Sequence, residues 1–444
     1  MSDYLSVDAS AGVRSARLTA SGFKHSFVSI VSACVACRGV LTIRNAPAIA
    51  ERSVLCDLLS SLGAHVQING QVLKIDASGI SPGPLNSGLA SQVHGSMYLV
   101  PALTAACGRA DLTASGGCAI GSNKLGMRPT THIVDVLRAF GADATCDAAG
   151  GISASATTLK PATVDIISFS DRRDEINGPL VSGATKAALI CAAGVTSSSA
   201  SSVILNPYLK PDVKDLLRYL NLAGFEVLEN SGQVRVRRPA SVRDVEMDLT
   251  PDLSELVTYL TLSIMSGSSI RVSSPGMHLG LAGLAAELDL FEKMGISVRS
   301  GDNWVEALPP PRIQSVDIEV TSTGIFSDHQ PFFALLMTRS DRPTRIRDHV
   351  WKDRFSYAKE LAEFGVRTQR IDKGIVVFPS ELTPPERPVH ASDLRMAGVL
   401  LIAGLLVGQK VELTGAHHLT RGYSELTNKL EKLGAICESQ ITGL

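Results

Sequence analysis

One short motif recurs six times along this chain and constrains its fold more than any other feature. Each copy is an amphipathic helix that ends in a hydrophobic residue and a glycine, followed by a small apolar residue and a β-favouring run. The glycines are spaced 69 to 83 residues apart and are Gly63, Gly141, Gly224, Gly295, Gly365 and Gly434. Turns of the NG, SG and DKG kind interrupt three of the runs that follow and predict hairpins there. Each repeat therefore predicts a helix, a strand, a tight turn and a second strand.

A second, more apolar helix is predicted before the motif in several repeats. The clearest runs read SFVSIVSACVA, SMYLVPALTAACG, KAALICAAGV and MAGVLLIAGLLVG. Helices that are apolar on every face belong in a protein interior. The six repeats therefore predict a mixed α/β (α+β) chain of βαβαββ-like units that divides into two domains of three. The polar, proline-marked segment 237–256 predicts the crossing, with one domain at 23–241 and the other formed by 1–22 and 242–444.

The charge balance limits the classes of partner. Lys and Arg number 42 and Asp and Glu 43, a formal net charge of −1, so no global basic field is available to bind nucleic acid or an anionic membrane. The longest uncharged apolar run, Met396–Gly408, is shorter than the roughly 20 residues that a membrane crossing needs. The first 21 residues lack the apolar region of a secretion signal and predict a short exposed tail. A cytoplasmic protein is expected, with its oligomeric state open.

The cysteines offer one candidate for chemistry. Cys34 and Cys37 form the only CxxC, and its apolar setting predicts helix packing and no metal site. Cys118, in contrast, follows a Gly-Gly pair in SGGCAIGSNKLGMRP, close to Lys124 and Arg128. Nearby cations favour a reactive thiolate, so Cys118 is a candidate acid or nucleophile, and an inert loop thiol is the alternative. No nucleotide triphosphate, dinucleotide or zinc motif is present, and no cofactor or metal is predicted.

The loop around Cys118 resembles a known active site. GGCAIG followed by Arg128-Pro129 is similar to the active-site loop of the UDP-N-acetylglucosamine enolpyruvyl transferase family. Five further segments resemble motifs of that family in the same order: SGFKHSFVSIVSAC, GIFSDHQPFFALL, DRFSYAKELAEFG, ASDLRMAGVLLIAG and RGYSELTNKLEKLGA. The resemblance covers nearly the whole chain. It implies two inverse α/β prism domains, each of three βαβαββ repeats, with the active site in the inter-domain cleft.

The resemblance also implies a reaction and a set of residues. The family moves the enolpyruvyl group of phosphoenolpyruvate to an acceptor hydroxyl by protonation at C3, attack at C2 and loss of phosphate. Cys118 matches the proton donor, Asp328 the general base and Lys24 a catalytic cation. Arg128 and Arg421 match further cations that hold phosphoenolpyruvate. The other substrate-binding positions that the resemblance implies are Arg354, Asp393, Arg395, Pro129, Ser182, Gly183 and Val350.

The chain departs from the family pattern on the side of the acceptor. Where the family has an amide, an arginine, an aspartate and a leucine, this sequence has His25, His94, Thr131 and His132, and Pro179 and Val181 replace a lysine and a serine. Losing an arginine and a lysine removes charge-assisted hydrogen bonds of about 1.5–3 kcal/mol each, which a diphosphate would miss. A smaller uridine nucleotide is therefore favoured. The family branch with such an acceptor makes enolpyruvyl-UMP, through the 3′-hydroxyl, for nikkomycin- and polyoxin-type nucleoside antibiotics.

Two alternatives to the transfer to UMP stay open, and a third, the shikimate-pathway reaction, is disfavoured. UDP-N-acetylglucosamine, the acceptor of peptidoglycan synthesis, is the first of them. The shikimate-pathway relative lacks the cysteine loop, and its Ser-Ser-Gln signature is not matched by Ser182-Gly183-Ala184. A non-catalytic nucleotide-binding paralogue has no need of the acid, the base and the cations, all of which are present here. The predicted ligands are therefore phosphoenolpyruvate and a uridine nucleotide.

Overall fold

The computed structural model describes residues 3–114, 116–117, 130–169, 182–351 and 353–441. The described residues group into two compact units. We call residues up to 21 and from 251 onward the terminal unit, and residues within 22–250 the central unit. The domain boundaries that the sequence predicts, between residues 22 and 23 and between residues 241 and 242, stay predictions.

The mixed α/β composition that the sequence predicts is confirmed. The chain opens in the terminal unit with β1 (Tyr4–Asp8) and β2 (Ala16–Thr19). The central unit then runs α1 (Lys24–Cys37), β3 (Val40–Ile43), α2 (Ala50–Ser61), β4 (His65–Asn69), β5 (Val72–Asp76), α3 (Ser87–Ala90), α4 (Leu99–Cys107), β6 (Arg109–Leu112), α5 (Thr131–Ala139), β7 (Asp143–Cys146), β8 (Ile152–Ser155), β9 (Thr163–Asp165), α6 (Ser182–Gly194), β10 (Ser202–Leu205), α7 (Pro211–Leu222), β11 (Glu226–Asn230), β12 (Gln233–Arg237) and β13 (Val245–Met247).

The terminal unit resumes with a similar succession of elements. It runs α8 (Leu253–Ser266), β14 (Ile270–Ser273), α9 (Met277–Gly283), α10 (Ala285–Lys293), β15 (Ser297–Gly301), β16 (Trp304–Leu308), β17 (Ile318–Val320), α11 (Gln330–Met337), β18 (Thr344–Asp348), α12 (Tyr357–Leu361), β19 (Thr368–Ile371), β20 (Gly374–Val377), β21 (Val389–His390), α13 (Leu394–Leu406), β22 (Lys410–Thr414), α14 (Leu426–Lys432) and β23 (Ile436–Ser439). Short 3₁₀ helices cover His94–Tyr98, Ile166–Phe169, Ala362–Phe364 and Ala416–Arg421.

The described strands form six sheets, three in each unit, that follow one topological rule. In five of them a parallel pair of strands is joined to an antiparallel pair, as in the order β11-β12-β10-β9, and in four of these five the antiparallel pair is a hairpin. The sixth contains the described strands β6-β8-β7, which are antiparallel. The sheets thus follow the strand pattern of a βαβαββ repeat, and in three of them one strand, β1, β2 or β13, comes from a distant part of the chain. The hairpins predicted at the NG, SG and DKG turns are β4–β5, β11–β12 and β19–β20.

The apolar helices lie in the interior, as their composition predicts. In the central unit α1, α4 and α6 pack on one another, and in the terminal unit α8, α11 and α13 do the same. Every residue of α1 from Ser26 to Cys37 is buried, including both cysteines of the CxxC, which confirms its role in packing. The apolar run around Met396 is the thirteen-residue helix α13. No helix among the described residues has the length and hydropathy that a bilayer crossing requires.

The six motif glycines have the left-handed backbone conformation that their position predicts. Their φ angles lie between +79° at Gly365 and +94° at Gly63. A side chain at such a φ places Cβ too close to the following carbonyl oxygen, which favours glycine. The repeated glycine therefore ends the amphipathic helix of each repeat and directs the chain into the strand that follows.

The expectation of a short exposed tail at the N-terminus is wrong. The N-terminal segment is not an exposed tail, because β1 lies between β22 and β23 in the order β21-β22-β1-β23 and buries Leu5 and Val7. It supplies the strand that the last repeat lacks at its own end. The predicted linker 237–256 includes the boundary of the two units at residues 250 and 251. It also contributes β13, which pairs in parallel with β3 and completes the first sheet of the central unit.

Candidate active site

The predicted site residues in the described part of the chain lie in both units, and each unit is considered by itself. Cys118, Arg128 and Pro129 lie outside the described residues. Asp328, Val350, Arg354, Asp393, Arg395 and Arg421 belong to the terminal unit, and Lys24, His25, His94, Thr131, Ser182 and Gly183 belong to the central unit. Within the described residues, no group of three or more His, Cys, Asp or Glu side chains is placed to hold a metal ion.

Asp328 is held between two buried arginines. Arg395 donates from Nε and Nη2 to Asp328 Oδ2 at 3.0 and 2.8 Å, and Arg354 Nη1 lies 2.7 Å from Oδ1. The arginine side chains are 5% and 6% exposed, whereas that of Asp328 is 29% exposed. Two guanidinium groups thus hold the Asp328 carboxylate in place, and part of the carboxylate remains exposed. The sequence-predicted base and two predicted cations therefore form one group.

A hydroxyl bridge connects this group to a neighbouring turn. Arg354 Nη1 donates to Ser327 Oγ at 3.1 Å, and Ser327 Oγ in turn donates to Asp348 at the end of β18. The other oxygen of Asp348 accepts the backbone N–H groups of Val350 and Trp351 at 2.8 and 2.9 Å. Burial raises the pKa of Asp348, against the lowering effect of these hydrogen bonds. The turn that carries the predicted contact Val350 is therefore hydrogen-bonded to the same network as Asp328.

The N-terminus of α13 supplies the next charged residues. Asp393 caps this helix by accepting the backbone N–H groups of Arg395 and Met396 at 2.8 and 3.0 Å. Burial disfavours the charge of Arg354, but Asp328 and Asp393 outweigh it and raise the pKa of Arg354. The same balance of burial against Asp328 raises the pKa of Arg395. Both arginines therefore stay cationic although they are buried.

Arg421 ends the 3₁₀ helix that packs on α13. Burial lowers the pKa of the neighbouring His418, and the positive charge of Arg421 lowers it further, against the raising effect of Asp393. Asp393 thus acts electrostatically on both His418 and Arg354. Arg421 is thus connected through His418 and Asp393 to the group formed by Arg354 and Asp328.

In the central unit, Lys24 and His25 open α1. Lys24 Nζ lies 3.6 Å from Glu51 Oε1, and Glu51 is a buried residue of the first turn of α2. The His25 ring packs edge-on against Phe23, with 5.2 Å between the ring centroids. The helix α1 therefore presents Lys24 and His25 at its N-terminal end, where the Glu51 carboxylate pairs with the ammonium group of Lys24.

A buried ion pair lies close to the predicted residues His94 and His25. Lys186 Nζ of α6 is 2.8 Å from Asp212 Oδ2 of α7, and both side chains are 6% exposed. Lys186 also lies over the Tyr98 ring, 4.8 Å from its centroid, and Tyr98 packs edge-on against His94. Burial opposes the charge of Asp212, but Lys186 and His25 lower its pKa to about 2. Lys186 is therefore a cation whose charge is neutralised within the fold.

The first residues of α6 lie against the first residues of α5. Ser182 and Gly183 begin α6, Thr131 begins α5, and the two helices pack on each other. A Cβ atom at Gly183 would overlap the His132 ring. Ser182, Gly183 and Thr131 are thus brought to one end of this helix pair, and His132 fills the space that the missing side chain of Gly183 leaves.

Sequence reasoning missed the residues that hold the predicted ones in place. Glu51, Asp212 and Lys186 gave no signal, because a buried ion pair between separate helices has no fixed spacing in the sequence. Asp348 was missed for the same reason. Ser327 stands next to Asp328 in the FSDHQ segment, and its place in that motif was the one available hint.

Comparison with known proteins supports the resemblance in both sequence and structure. The family model of EPSP synthase (3-phosphoshikimate 1-carboxyvinyltransferase) matches residues 12–430. UDP-N-acetylglucosamine 1-carboxyvinyltransferases from Halothermothrix orenii and Geobacter metallireducens are 25% and 27% identical over 421 and 423 residues. Each alignment covers 94% of this chain and 95% of the relative.

Solved structures match over an even larger share of the chain. The crystal structure of the enolpyruvyl transferase NikO from Streptomyces tendae aligns with a TM-score of 0.88 and 34% identity, and 99% of each chain is covered. The EPSP synthase structure from Acinetobacter baumannii aligns with a TM-score of 0.70 at 15% identity, covering 98% of this chain and 100% of the other. The second match shows a shared fold alone.

Proposed function

This chain belongs to the EPSP synthase family of enolpyruvyl transferases, and on that premise we propose that it transfers the enolpyruvyl group of phosphoenolpyruvate to the 3′-hydroxyl of UMP. The observation that carries this proposal is the Asp328 carboxylate held between Arg354 and Arg395. A base for a hydroxyl proton and cations for a phosphorylated carboxylic acid are the two requirements of such a transfer. They occur here in one group.

Asp328 is the proposed general base. Its partly exposed carboxylate can accept the proton of an acceptor hydroxyl when that group comes within hydrogen-bond reach. The acceptor oxygen then bonds to C2 of phosphoenolpyruvate as C3 takes up a proton from Cys118, and phosphate leaves the tetrahedral intermediate as a proton returns from C3. Asp328 stays anionic before attack because two buried arginines stabilise its negative charge.

The cations are proposed to hold phosphoenolpyruvate and its intermediate. Arg421, Arg395 and Arg354 serve in the terminal unit and Lys24 in the central unit, and the resemblance to the family adds Arg128. Guanidinium groups suit carboxylate and phosphate oxygens because their planar fork forms two parallel hydrogen bonds. Preorganised cations stabilise the negative charge of a transferring phosphorylated group without further rearrangement.

Two observations support UMP over a nucleotide sugar as acceptor. The first concerns Lys186, which lies over the Tyr98 ring beside His94 and is paired with Asp212. Because Asp212 neutralises it, Lys186 offers a diphosphate no free positive charge, and a monophosphate needs fewer cationic partners. The second is that identity to the enolpyruvyl transferase NikO, at 34%, exceeds the 25% and 27% to the two UDP-N-acetylglucosamine enzymes.

UDP-N-acetylglucosamine is the second candidate acceptor. It is favoured by the relatives that carry this activity in their names and align with nearly the whole chain. Under this alternative, His25, His94 and His132 are substitutions within a site that still binds the nucleotide sugar.

The test is phosphate release from phosphoenolpyruvate by the purified protein, with UMP and UDP-N-acetylglucosamine in parallel and mass spectrometry of the products. Turnover with UMP, giving a product heavier than UMP by one enolpyruvyl group, supports the proposal. Turnover with the nucleotide sugar alone replaces it by the alternative. Binding of a nucleotide without phosphate release identifies a non-catalytic paralogue and refutes both.

A further inference from the structure

The loop that carries Asp328 is anchored on its inner side by a buried histidine and glutamate. His329 follows Asp328 directly and precedes α11, and its ring is 1% exposed. His329 Nδ1 lies 2.8 Å from Glu287 Oε1 of α10, and Nε2 lies 3.2 Å from Ser254 Oγ of α8. Glu287 and Ser254 are both buried. The loop is therefore attached to two helices through a single imidazole.

Glu287 also holds the other end of this loop. Its Oε1 atom accepts the backbone N–H of Phe326 at 2.9 Å in addition to the His329 ring. Residues 326 and 329 are joined to each other by the hydrogen bond from His329 N to Phe326 O at 2.9 Å. One carboxylate oxygen thus fixes both sides of the turn in which Asp328 stands.

Burying Glu287 costs desolvation free energy, which its hydrogen bonds must offset. A buried carboxylate loses its hydration, and Glu287 Oε2 has no hydrogen-bond partner among the residues that the structure describes. The carboxylate accepts, so His329 Nδ1 donates in either protonation state of the ring. An apolar pair of similar size in place of Glu287 and His329 would stabilise the fold as well. The two hydrogen bonds that Glu287 accepts instead specify the geometry of the turn.

We propose that Glu287 and His329 are positioning residues that set the orientation of Asp328 toward the acceptor hydroxyl. This inference rests on the proposed role of Asp328 as base. It assigns no contact between the pair and a substrate, because both side chains lie in the interior behind the loop. Their removal should therefore reduce the rate of the chemical step and leave the binding of phosphoenolpyruvate largely intact.

The experiment compares Glu287→Leu, His329→Leu and the double variant with a matched control. Glu306→Leu is that control, because Glu306 is a buried carboxylate of the same unit that pairs with Arg271 and lies outside the candidate site. We expect kcat to fall by about ten- to a hundredfold in both single variants, since a displacement of about 1 Å costs up to about 10²-fold. The KM for phosphoenolpyruvate should stay within about threefold. The double variant should be no slower than the single variants.

A conservative variant separates positioning from simple loss of packing. His329→Asn keeps an N–H donor near the place of Nδ1 and should retain kcat within about threefold of the wild type. Equal losses of kcat in Glu287→Leu, His329→Leu and Glu306→Leu, at equal losses of melting temperature, would overturn the inference. So would a loss confined to KM.

Failure of the proposed function can be told apart from failure of this inference. A wild-type protein that turns over neither acceptor refutes the proposed function. Amide hydrogen exchange over residues 326–329 then tests whether Glu287 and His329 hold this loop in place. Exchange at least about tenfold faster in Glu287→Leu than in Glu306→Leu supports the anchoring of the loop. Equal exchange in the two variants refutes it.

Discussion

Replacing Asp328 by asparagine isolates the electrostatic role of the carboxylate, because the two side chains have nearly the same shape. The change leaves Arg354 and Arg395, both nearly fully buried, without their shared anion. Removing one partner of a buried ion pair costs about 3–5 kcal/mol. The partial exposure of Asp328 and the nearby Asp393 reduce that cost, so we expect a loss of about 2–3 kcal/mol.

This loss should be measurable as a lower melting temperature and should be reversed by an anion. About 1 kcal/mol shifts the Tm of a domain of 150–250 residues by about 2–4 °C, so Asp328→Asn should melt about 4–12 °C below the wild type. Phosphoenolpyruvate supplies the missing negative charge to Arg354 and Arg395. Its stabilising effect should therefore be larger in the variant than in the wild type, where Asp328 competes for the same arginines. Phosphate release should fall by at least about a hundredfold.

The assay is thermal unfolding followed by circular dichroism, with and without phosphoenolpyruvate, beside phosphate release. Asp353→Asn is the control, because Asp353 pairs with Arg370 and both side chains are about half exposed. That variant should change Tm by less than about 2 °C and respond to phosphoenolpyruvate as the wild type does. Equal stabilisation of Asp328→Asn and the wild type by phosphoenolpyruvate would show that these arginines do not bind it.

Four further predictions concern the stability of the two units. Lys186→Met should destabilise the protein by about 3–5 kcal/mol in urea unfolding, since it leaves a buried carboxylate unpaired, and Lys186→Met with Asp212→Asn should recover part of that loss. The pKa of Asp212 is lowered to about 2, so its stabilising effect is complete above about pH 4 and is lost as the pH falls toward 2. Asp212→Asn should therefore reduce the change in unfolding free energy between about pH 4 and pH 2. Gly141→Ala should lower the unfolding free energy by about 1–2 kcal/mol because Gly141 has a positive φ. Gly63→Ala should lower it further, because the new Cβ would also lie 2.9 Å from a backbone carbonyl oxygen. Equal melting temperatures of the two variants would contradict this. Leu5→Ala should cost about 2–5 kcal/mol in denaturant unfolding, whereas a disordered tail would tolerate the change.

Much of the fold was predictable because the signals are local. A glycine with positive φ after an amphipathic helix, an all-apolar helix of about a dozen residues and a two-residue hairpin turn each depend on neighbours a few positions away. Such signals identified α1, α4, α6 and α13 and the hairpins at β4–β5, β11–β12 and β19–β20. The resemblance of motifs to a known family, and not these local signals, identified Asp328, Arg354 and Arg395 as candidate site residues.

The sequence by itself therefore determined the repeat, its elements and the kinds of side chain available for chemistry. Only the tertiary structure decided which of them meet. Asp328 and Arg395 are 67 residues apart, Lys186 and Asp212 are 26 apart, and β1 pairs with β22 some 400 residues away. Such pairs follow from how the helices and sheets pack, because a buried charge needs a partner in space and the sequence sets no fixed distance to it. For this reason the anchor formed by Glu287 and His329 had no signature in the chain.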